Sequence, residues 1–291
     1  MNNETKGMVL GLLAVTAFGL TLPATRVVVP YLDPFFIGFG RAFIAGICAT
    51  ILLLICRPPL PNKTQYKPLF LTALGVVLGF PILTSWAMQY VSAIHGGVVL
   101  GVLPLATAIF GVWVGHERPG LMFWVSSLIG SVLVVSYTLL QGAGSLHQAD
   151  IVLLGAVIAA AGGYAVGAKL SQQLGGWQVI CWATVLALPF VAIPAFYFSP
   201  TSLSNIPLEV ILSFLYLALV SQLFGFFLWY KGLVLGGIAR VSQIQLLQPF
   251  ITLVASTFWL NEIIDTTTLV FIFLVVATVW LGKKSPIGKS L

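Results

Sequence analysis

Long apolar runs, separated by short segments rich in proline, glycine and charge, occupy almost the whole chain. A helix needs roughly 20 apolar residues to cross the hydrocarbon of a bilayer. The runs lack the two-residue alternation of a barrel strand, so helices are the structure that satisfies the backbone in lipid. The pattern predicts an all-α integral membrane protein with ten transmembrane helices, at 8–29, 35–55, 68–90, 93–115, 121–141, 151–170, 178–198, 208–230, 238–260 and 267–281.

Charge fixes the expected orientation of these helices. Charged residues make up 7% of the chain and hydrophobic residues 59%, whereas soluble domains are about 25% charged. With both termini in the cytoplasm, every basic residue except Arg26 and Arg41 lies on or beside the inner side, as the positive-inside rule requires. The expected location is the inner, cytoplasmic membrane of the cell. Topology explains the net charge of +6, so we expect the lipid bilayer as a partner and no nucleic acid.

An internal repeat relates residues 97–117 to residues 242–262, at an offset of 145 positions. The matched pairs are Pro104 and Pro249, Thr107 and Thr252, and Glu117 and Glu262. The repeat predicts a first five-helix unit at 7–141, a linker at 142–149, a second five-helix unit at 150–282 and a basic cytoplasmic tail at 283–291. Because five is odd, the two units would have inverted topology, which is typical of transporters that work by alternating access.

Glycine and proline mark positions where the helices are expected to bend. Gly19 and Pro23 interrupt the first span, and Gly162 is the expected site of a milder break in the sixth span, which has no matching proline. Pro104 and Pro249 each remove a main-chain hydrogen bond from their helices. We expect hinges at all five positions.

Polar and aromatic side chains on the predicted helices indicate a cavity. Steps of three and four residues place the polar positions of 242–256 on one helical face. Interhelical hydrogen bonding is the alternative for this stripe, and an interfacial aromatic belt is the alternative for residues at span ends. The candidate substrate-binding residues are Thr21, Trp86, Gln89, Tyr90, Tyr164, Gln222, Trp229, Gln245, Gln248 and Thr252.

Five charged residues are candidates for gating or ion pairing: Arg26, Arg41, Glu117, Lys169 and Glu262. A cation inside a span needs a partner or a wet cavity, so the two arginines could attract an anionic group such as a substrate carboxylate. Pairing with Asp33 or snorkelling towards the interface is the structural alternative. The two glutamates could cap helix ends or form ion pairs that alternate. No carboxylate falls at mid-membrane, so the sequence does not support proton coupling.

The sequence offers little for catalysis. Residues 116–120 begin like a zinc-protease motif but lack its second histidine, and no nucleophile elbow or P-loop occurs. His95, His116 and His147 fall in different predicted loops, and the cysteines Cys48, Cys56 and Cys181 have no metal-binding spacing. We therefore expect neither an enzyme nor a metal site, and no cofactor.

From about Leu10 to Trp280 the chain resembles the drug/metabolite transporter superfamily, EamA type. The resemblance rests on Phe18-Gly19 to Arg26, on Asp33-Pro34 and Arg41-Ala42, and on the repeated proline thirteen residues before a glutamate. It implies a central cavity lined by spans one, three, four, six, eight and nine, and export of amino acids or other metabolites, transport of nucleotide-linked compounds, or movement of drugs. A departure is that span seven has no arginine corresponding to Arg41.

These observations favour a secondary transporter of a small polar metabolite, with amino acids as the best-fitting class of substrate. Family habit suggests export. Efflux of cationic drugs and a lipid-flipping protein remain as alternatives, and monomer and homodimer are both open.

Overall fold

The computed structural model describes residues 2–140, 148–202, 205–260, 266–285 and 287–289, and most of these residues are helical. The α-helices are α1 Asn3–Gly19, α2 Thr21–Val28, α3 Pro34–Cys56, α4 Lys63–Thr72, α5 Phe80–Ala87, α6 Ala93–Leu100, α7 Leu103–Gly115, α8 Leu121–Leu140, α9 Gln148–Leu174, α10 Gly176–Tyr197, α11 Leu208–Leu215, α12 Gly225–Gly236, α13 Ile238–Ser242, α14 Gln248–Leu260 and α15 Thr266–Lys284. Two π-helical segments, Ala73–Gly79 and Tyr216–Phe224, and a 3-10 segment, Gln243–Leu247, join some of them. Strands β1 Glu117–Pro119 and β2 Ile287–Lys289 pair antiparallel.

Within the described ranges, seven helical stretches are long and apolar enough to cross a membrane. They are Asn3–Val28, Pro34–Cys56, Lys63–Ala87, Gln148–Leu174, Gly176–Tyr197, Leu208–Gly236 and Ile238–Ala255. Three further apolar helical stretches are shorter: Leu103–Gly115, which is α7, Leu121–Leu133 within α8, and Phe273–Gly282 within α15. The expected all-α membrane architecture is thus confirmed.

Local sequence explains where several helices begin. The Asp33 carboxylate accepts the N–H groups of Phe35 and Phe36 at 2.8 and 3.3 Å, and Pro34 occupies the first turn, where its missing N–H costs nothing. Gly237 has a φ of +86°, which permits the tight turn between α12 and α13 without a Cβ penalty. The starts of α3 and α13 therefore follow from residue type at these positions.

Small residues let the helices approach closely. A Cβ on Gly75 would come within 2.9 Å of the Gly163 Cα atom. Glycine is therefore required where the π segment of residues 73–79 crosses α9. This contact brings together segments from the two predicted repeats, as small residues allow in membrane helices.

Contacts between distant segments define the two ends of the bundle. At one end, which we call the Glu117 end, Gln65 Nε2 donates to Gln173 Oε1 at 3.1 Å, and β1 pairs with β2. At the opposite end, which we call the His95 end, His95 Nε2 lies 2.5 Å from Asp150 Oδ1. The bundle is held together at both ends by polar contacts.

The helix breaks are repeated in the two predicted halves. The π segments end at Gly79 and Phe224, which have the same offset as Pro104 and Pro249. Each of these prolines takes the second position of a new α-helical segment, after a turn at 101–102 or after the 3-10 segment. The break expected at Gly162 is absent, because α9 continues through it without interruption.

Candidate functional site

A small polar pocket lies at the centre of the bundle, with a volume of about 10 Å³, room for about one water molecule. Its apolar walls are Phe18, Val76, Phe80 and Phe226. Its polar residues are Thr21, Arg41, Tyr164, Ser221, Gln222 and Gln248. Elements from both predicted repeats contribute, so the pocket lies at their interface.

Proline creates the break that shapes one wall. Pro23 has no N–H to bond the carbonyl of Gly19, four residues earlier, and α1 ends at Gly19. The Thr252 hydroxyl donates to that free carbonyl at 2.6 Å. The break predicted at Gly19 and Pro23 is therefore present, and it places Phe18 and Thr21 on either side of the turn at Leu20.

A second proline, Pro81, shapes another wall of the pocket. At the end of the π segment of residues 73–79, the Phe80 N–H donates to the Gly75 carbonyl, five residues earlier. With the same spacing, the carbonyl of Val76 would need a hydrogen bond from the N–H of residue 81, which is a proline. Pro81 has no N–H, and the Val76 carbonyl instead accepts the Gln222 Nε2 amide at 3.0 Å. Gln222 is fully buried. A freed backbone carbonyl thus orients this side chain at the pocket.

Among the described residues that line the pocket, Arg41 is the only one with a basic or acidic side chain. Its side chain is 1% exposed, and Nη2 donates to the Ser221 hydroxyl at 2.8 Å. Ser221 Oγ also lies 2.8 Å from Thr21 Oγ1. Within the described part of the chain, Nε and Nη1 of Arg41 have no hydrogen-bond partner. None of the described lining residues is acidic, so none of them supplies a counter-ion for the positive charge.

Aromatic rings form one side of the pocket and the layer behind it. Phe18 lies 5.1 Å from Phe226 between ring centroids, and Tyr164 lies 5.3 Å from Trp229. Trp229 is fully buried behind the lining residues. Such offset and edge-to-face pairs stabilise a rigid apolar surface, which could contact an apolar part of a ligand.

Glu117 closes the bundle at its own end. Its carboxylate oxygens accept the N–H groups of Ile238 and Ala239 at 2.7 Å each. This caps the N-terminus of α13, as one of the two sequence interpretations expected. Arg240 adds an ion pair with Glu4 and donates to the Ser285 carbonyl at 3.0 Å. The first predicted repeat thereby holds the start of a helix in the second.

Comparisons with known proteins fit this architecture. The model of the EamA-like transporter family matches residues 5–138 and 147–282. The chain belongs to the EamA-like transporter family. It is a multi-pass membrane protein of a transporter family, as the resemblance in its sequence indicated.

Relatives and one solved structure extend the family match. The "Uncharacterized transporter YdeK" of Bacillus subtilis (strain 168) is 48% identical over 262 residues, covering 90% of this chain and 91% of the relative. A "Probable amino-acid metabolite efflux pump" of Escherichia coli (strain K12) is 26% identical, with 88% of each chain covered. A "Probable terminal-alkyne amino-acid exporter" of Streptantibioticus cattleyicolor is 24% identical, covering 95% of this chain and 93% of the relative. One crystal structure aligns with 96% of this chain and 98% of its own at a TM-score of 0.78 and 14% identity, a likeness of fold alone.

The pocket of this EamA-like protein differs from the cavity that the resemblance implied. None of the described residues that line the pocket belongs to the predicted span four, and the predicted span two contributes Arg41. Arg41 reaches the pocket because α3 packs beside the π segment of residues 216–224, which carries Ser221. Neither snorkelling nor a bond to Asp33 describes Arg41, since the arginine is buried and Asp33 caps α3.

The structure gathers half of the predicted binding residues at the pocket and places the rest elsewhere. Thr21, Tyr164, Gln222 and Gln248 line it, and Trp229 packs behind it. Gln245 is buried beside Thr107, with its Oε1 3.5 Å from the threonine hydroxyl, and its Nε2 has no hydrogen-bond partner among the described residues. The Thr252 hydroxyl makes an interhelical bond to the Gly19 carbonyl. Neither residue lines the small pocket, and their roles in substrate binding stay predictions.

Three predicted binding residues lie at the His95 end. The rings of Trp86 and Tyr90 lie 4.7 Å apart between centroids, with their planes tilted by 51°, and Tyr90 is 53% exposed. The Gln89 amide donates to the Trp86 carbonyl at 3.3 Å and is exposed. Because α5 ends at Ala87, these side chains flank a helix end, outside the residues that line the central pocket, and their role in substrate binding stays a prediction.

The remaining charged candidates are also accounted for. Arg26 is exposed and donates from Nη1 to the Met88 carbonyl at 2.6 Å, at the C-terminus of α5, where a cation is favoured. Lys169 lines a separate cleft at the Glu117 end. Glu262 lies outside the described residues.

Sequence reasoning missed several lining residues. Phe18, Phe80 and Phe226 look like ordinary core residues, and Ser221 stands out only through its neighbour Gln222. Their position depends on the π segments, for which the sequence contains no recognised signal. In the described residues, no group of three or more His, Cys, Asp or Glu side chains could hold a metal ion.

Proposed function

We propose that this EamA-like protein is an alternating-access secondary transporter of a small metabolite that carries a carboxylate, with amino acids as the class that fits best, and that it exports this solute. The buried guanidinium of Arg41, with two nitrogens unpartnered in the described protein, carries the proposal. Buried polar groups are normally hydrogen-bonded, and an exception calls for an explanation. A bound anion supplies one.

The chemistry of guanidinium favours a carboxylate as that anion. Arginine presents its N–H groups in a planar fork that binds both carboxylate oxygens at once. Beside it, the Gln222 and Gln248 amides and the Tyr164 hydroxyl could meet a second polar group, such as an amine. The rings of Phe18 and Phe226 offer contact to an apolar side chain. Together these groups match the three parts of an amino acid.

Transport requires the pocket to enlarge. At about 10 Å³ the pocket is far smaller than the roughly 300 Å³ of the smallest ordinary ligand sites. The two predicted repeats must therefore separate at one end to admit a solute and at the other end to release it. The contacts of Glu117 at one end and of His95 with Asp150 at the other are the bonds that such rocking would break in turn.

The seven long helices and three shorter apolar ones would supply the ten crossings of this mechanism. We assign residues 7–141 and 150–282 to the two inverted repeats, joined by 142–149 and followed by the tail 283–291. The positive-inside rule places the Glu117 end in the cytoplasm, and the cytoplasmic membrane is the proposed location. Two relatives whose names specify amino-acid efflux or export support the direction and the substrate class.

The same arginine argues against a cationic drug as substrate. A positive charge without an acidic neighbour repels a cation, and no lining residue offers compensation. The amino-acid proposal is therefore preferred over the multidrug alternative.

Matched pairs of ligands test the proposal in the purified protein. Thermal stability is measured with amino acids and with the corresponding amino-acid amides, which lack only the carboxylate charge. Stabilisation by the acid and none by the amide is the expected result, because a ligand stabilises the state it binds. Arg41→Gln should abolish the difference while Arg26→Gln, at an exposed arginine, retains it. Equal stabilisation of the Arg41→Gln variant by the acid would overturn the proposal.

A further inference from the structure

A second cavity, of about 360 Å³, opens at the Glu117 end of the bundle. It lies between the first turns of α4, the last turn of α7 and the last turns of α9. Its volume falls within the range of ordinary small-ligand sites, about 300–1,000 Å³. We call it the α4–α9 cleft.

The α4–α9 cleft is separate from the central pocket. On α9, Tyr164 faces the pocket, whereas Val166, Lys169 and Gln173 face the cleft. Each of these three residues is turned by more than a third of a revolution from Tyr164, since a helix has 3.6 residues per turn. The body of α9 therefore stands between the two cavities, and the cleft is not the vestibule of the central pocket.

The cleft combines cations with an apolar wall. Lys67 and Lys169 contribute from α4 and α9, and both are exposed. Neither lysine forms an ion pair with any residue the structure describes. Leu71 and Val114 line the apolar part, and Leu71 is 44% exposed, on a surface that would face lipid.

This arrangement fits one ligand chemistry in particular. Lysine ammonium groups near a membrane surface attract anionic headgroups, and basic pockets between transmembrane helices bind phospholipid phosphates. Leu71 and Val114 continue from the basic part of the cleft as a surface for an acyl chain. A soluble anion would make no contact with this apolar wall.

We propose that the α4–α9 cleft is a binding site for an anionic phospholipid, with the phosphate between Lys67 and Lys169 and an acyl chain along Leu71 and Val114. With the orientation proposed above, the lipid comes from the inner leaflet. The site does not depend on which solute the central pocket carries. A lipid here ties α4 to α9 at their ends, where the Gln65 and Gln173 amides also join them.

Thermal stability of the purified full chain in detergent tests the site. The protein is titrated with phosphatidylglycerol and with phosphatidylcholine of the same acyl chains, and separately with inorganic phosphate and glycerol 3-phosphate. Phosphatidylglycerol should raise the melting temperature at concentrations where the other three do not. Equal shifts with phosphatidylcholine, or with either soluble phosphate, would overturn the lipid assignment.

Variants localise the effect. Replacing both lysines, Lys67→Gln with Lys169→Gln, should weaken the apparent affinity for phosphatidylglycerol by about 25-fold, about fivefold for each charge. Lys67→Arg with Lys169→Arg should keep it, and Lys231→Gln, at an exposed lysine outside the cleft, should leave it unchanged. If the double glutamine variant does not fold, the single variants carry the test. Unchanged affinity in both of them contradicts the proposal.

Discussion

Arg41 places a buried guanidinium group in the central pocket. A buried guanidinium with a single hydroxyl partner is costly in a membrane protein, because desolvated donors without acceptors lose the hydrogen bonds that water gave them. Ser221 holds this arginine and also contacts Thr21. Three helical segments thus meet at one serine oxygen, and the position of the guanidinium depends on it.

Removing the Ser221 hydroxyl should weaken ligand binding. Ser221→Ala should weaken binding of the carboxylate ligand about tenfold, since Arg41 loses the hydrogen bond that orients it, which is worth about 1.5 kcal/mol for a charged donor. Isothermal titration of the purified variant measures the loss. Ser213→Ala, a buried serine on α11 outside the pocket, is the control and should bind normally. Equal affinities in the two variants would refute a positioning role for Ser221.

The helix breaks leave two main-chain carbonyls without their usual partners inside the helix. Pro23 frees the Gly19 carbonyl for Thr252, and Pro81 together with the π register frees the Val76 carbonyl for Gln222. Each released carbonyl faces a helix of the other predicted repeat. The breaks therefore join the two halves by hydrogen bonds that a continuous α-helix could not offer.

A double-mutant cycle tests this explanation. Gln222→Leu should destabilise the protein by about 1 kcal/mol, because the Val76 carbonyl loses its partner in a buried site. In a Pro81→Ala background the alanine N–H can bond Val76, so the same change should cost less. Thermal unfolding of the four proteins in detergent gives both costs. An identical cost in both backgrounds would show that Pro81 does not create the free carbonyl.

The described part of the chain has polar contacts at both ends of the bundle and a central pocket of about 10 Å³. At the Glu117 end, both carboxylate oxygens of Glu117 accept backbone N–H groups at the start of α13. The contact of His95 with Asp150 at the other end is a hydrogen bond between the two side chains. A Cβ added to Gly237 would lie 3.2 Å from Glu117 Oε1, so the glycine turn also makes room for this carboxylate. Opening that end requires breaking these bonds.

Cysteine labelling measures this opening. In a chain with Cys48, Cys56 and Cys181 replaced by alanine, Ser242→Cys places a thiol at a fully buried position near the Glu117 end. Adding Glu117→Ala should raise its rate of labelling by a water-soluble maleimide at least tenfold, because the closed state loses two charge-assisted hydrogen bonds. Glu209→Gln, at an exposed carboxylate in the first turn of α11, should have no effect. Slow labelling in the Glu117→Ala protein would mean that this contact does not hold the end closed.

The sequence predicted the all-α membrane architecture, and it identified only some of the residues that line the central pocket. The apolar helices and the break at Gly19 and Pro23 can be predicted from residue type alone, and the structure has both. A polar stripe indicates a buried face without saying whether it meets a ligand or another helix, so the role of Gln245, which lies outside the pocket lining, stays a prediction. Arg41 was recognised as costly, but its place in the pocket depends on the π segment of residues 216–224, a change of helical register that hydrophobic periodicity does not reveal.

Exchange of a radiolabelled amino acid across proteoliposomes tests most directly whether Arg41 binds the transported carboxylate. Wild-type, Arg41→Gln and Arg26→Gln proteins are reconstituted in equal, correctly folded amounts and assayed with the amino acid that stabilises the purified protein most. We expect exchange by the wild-type and Arg26→Gln proteins, and a rate at least tenfold lower for Arg41→Gln at substrate concentrations below saturation. Normal exchange by Arg41→Gln would contradict a role for the buried guanidinium in carrying the substrate.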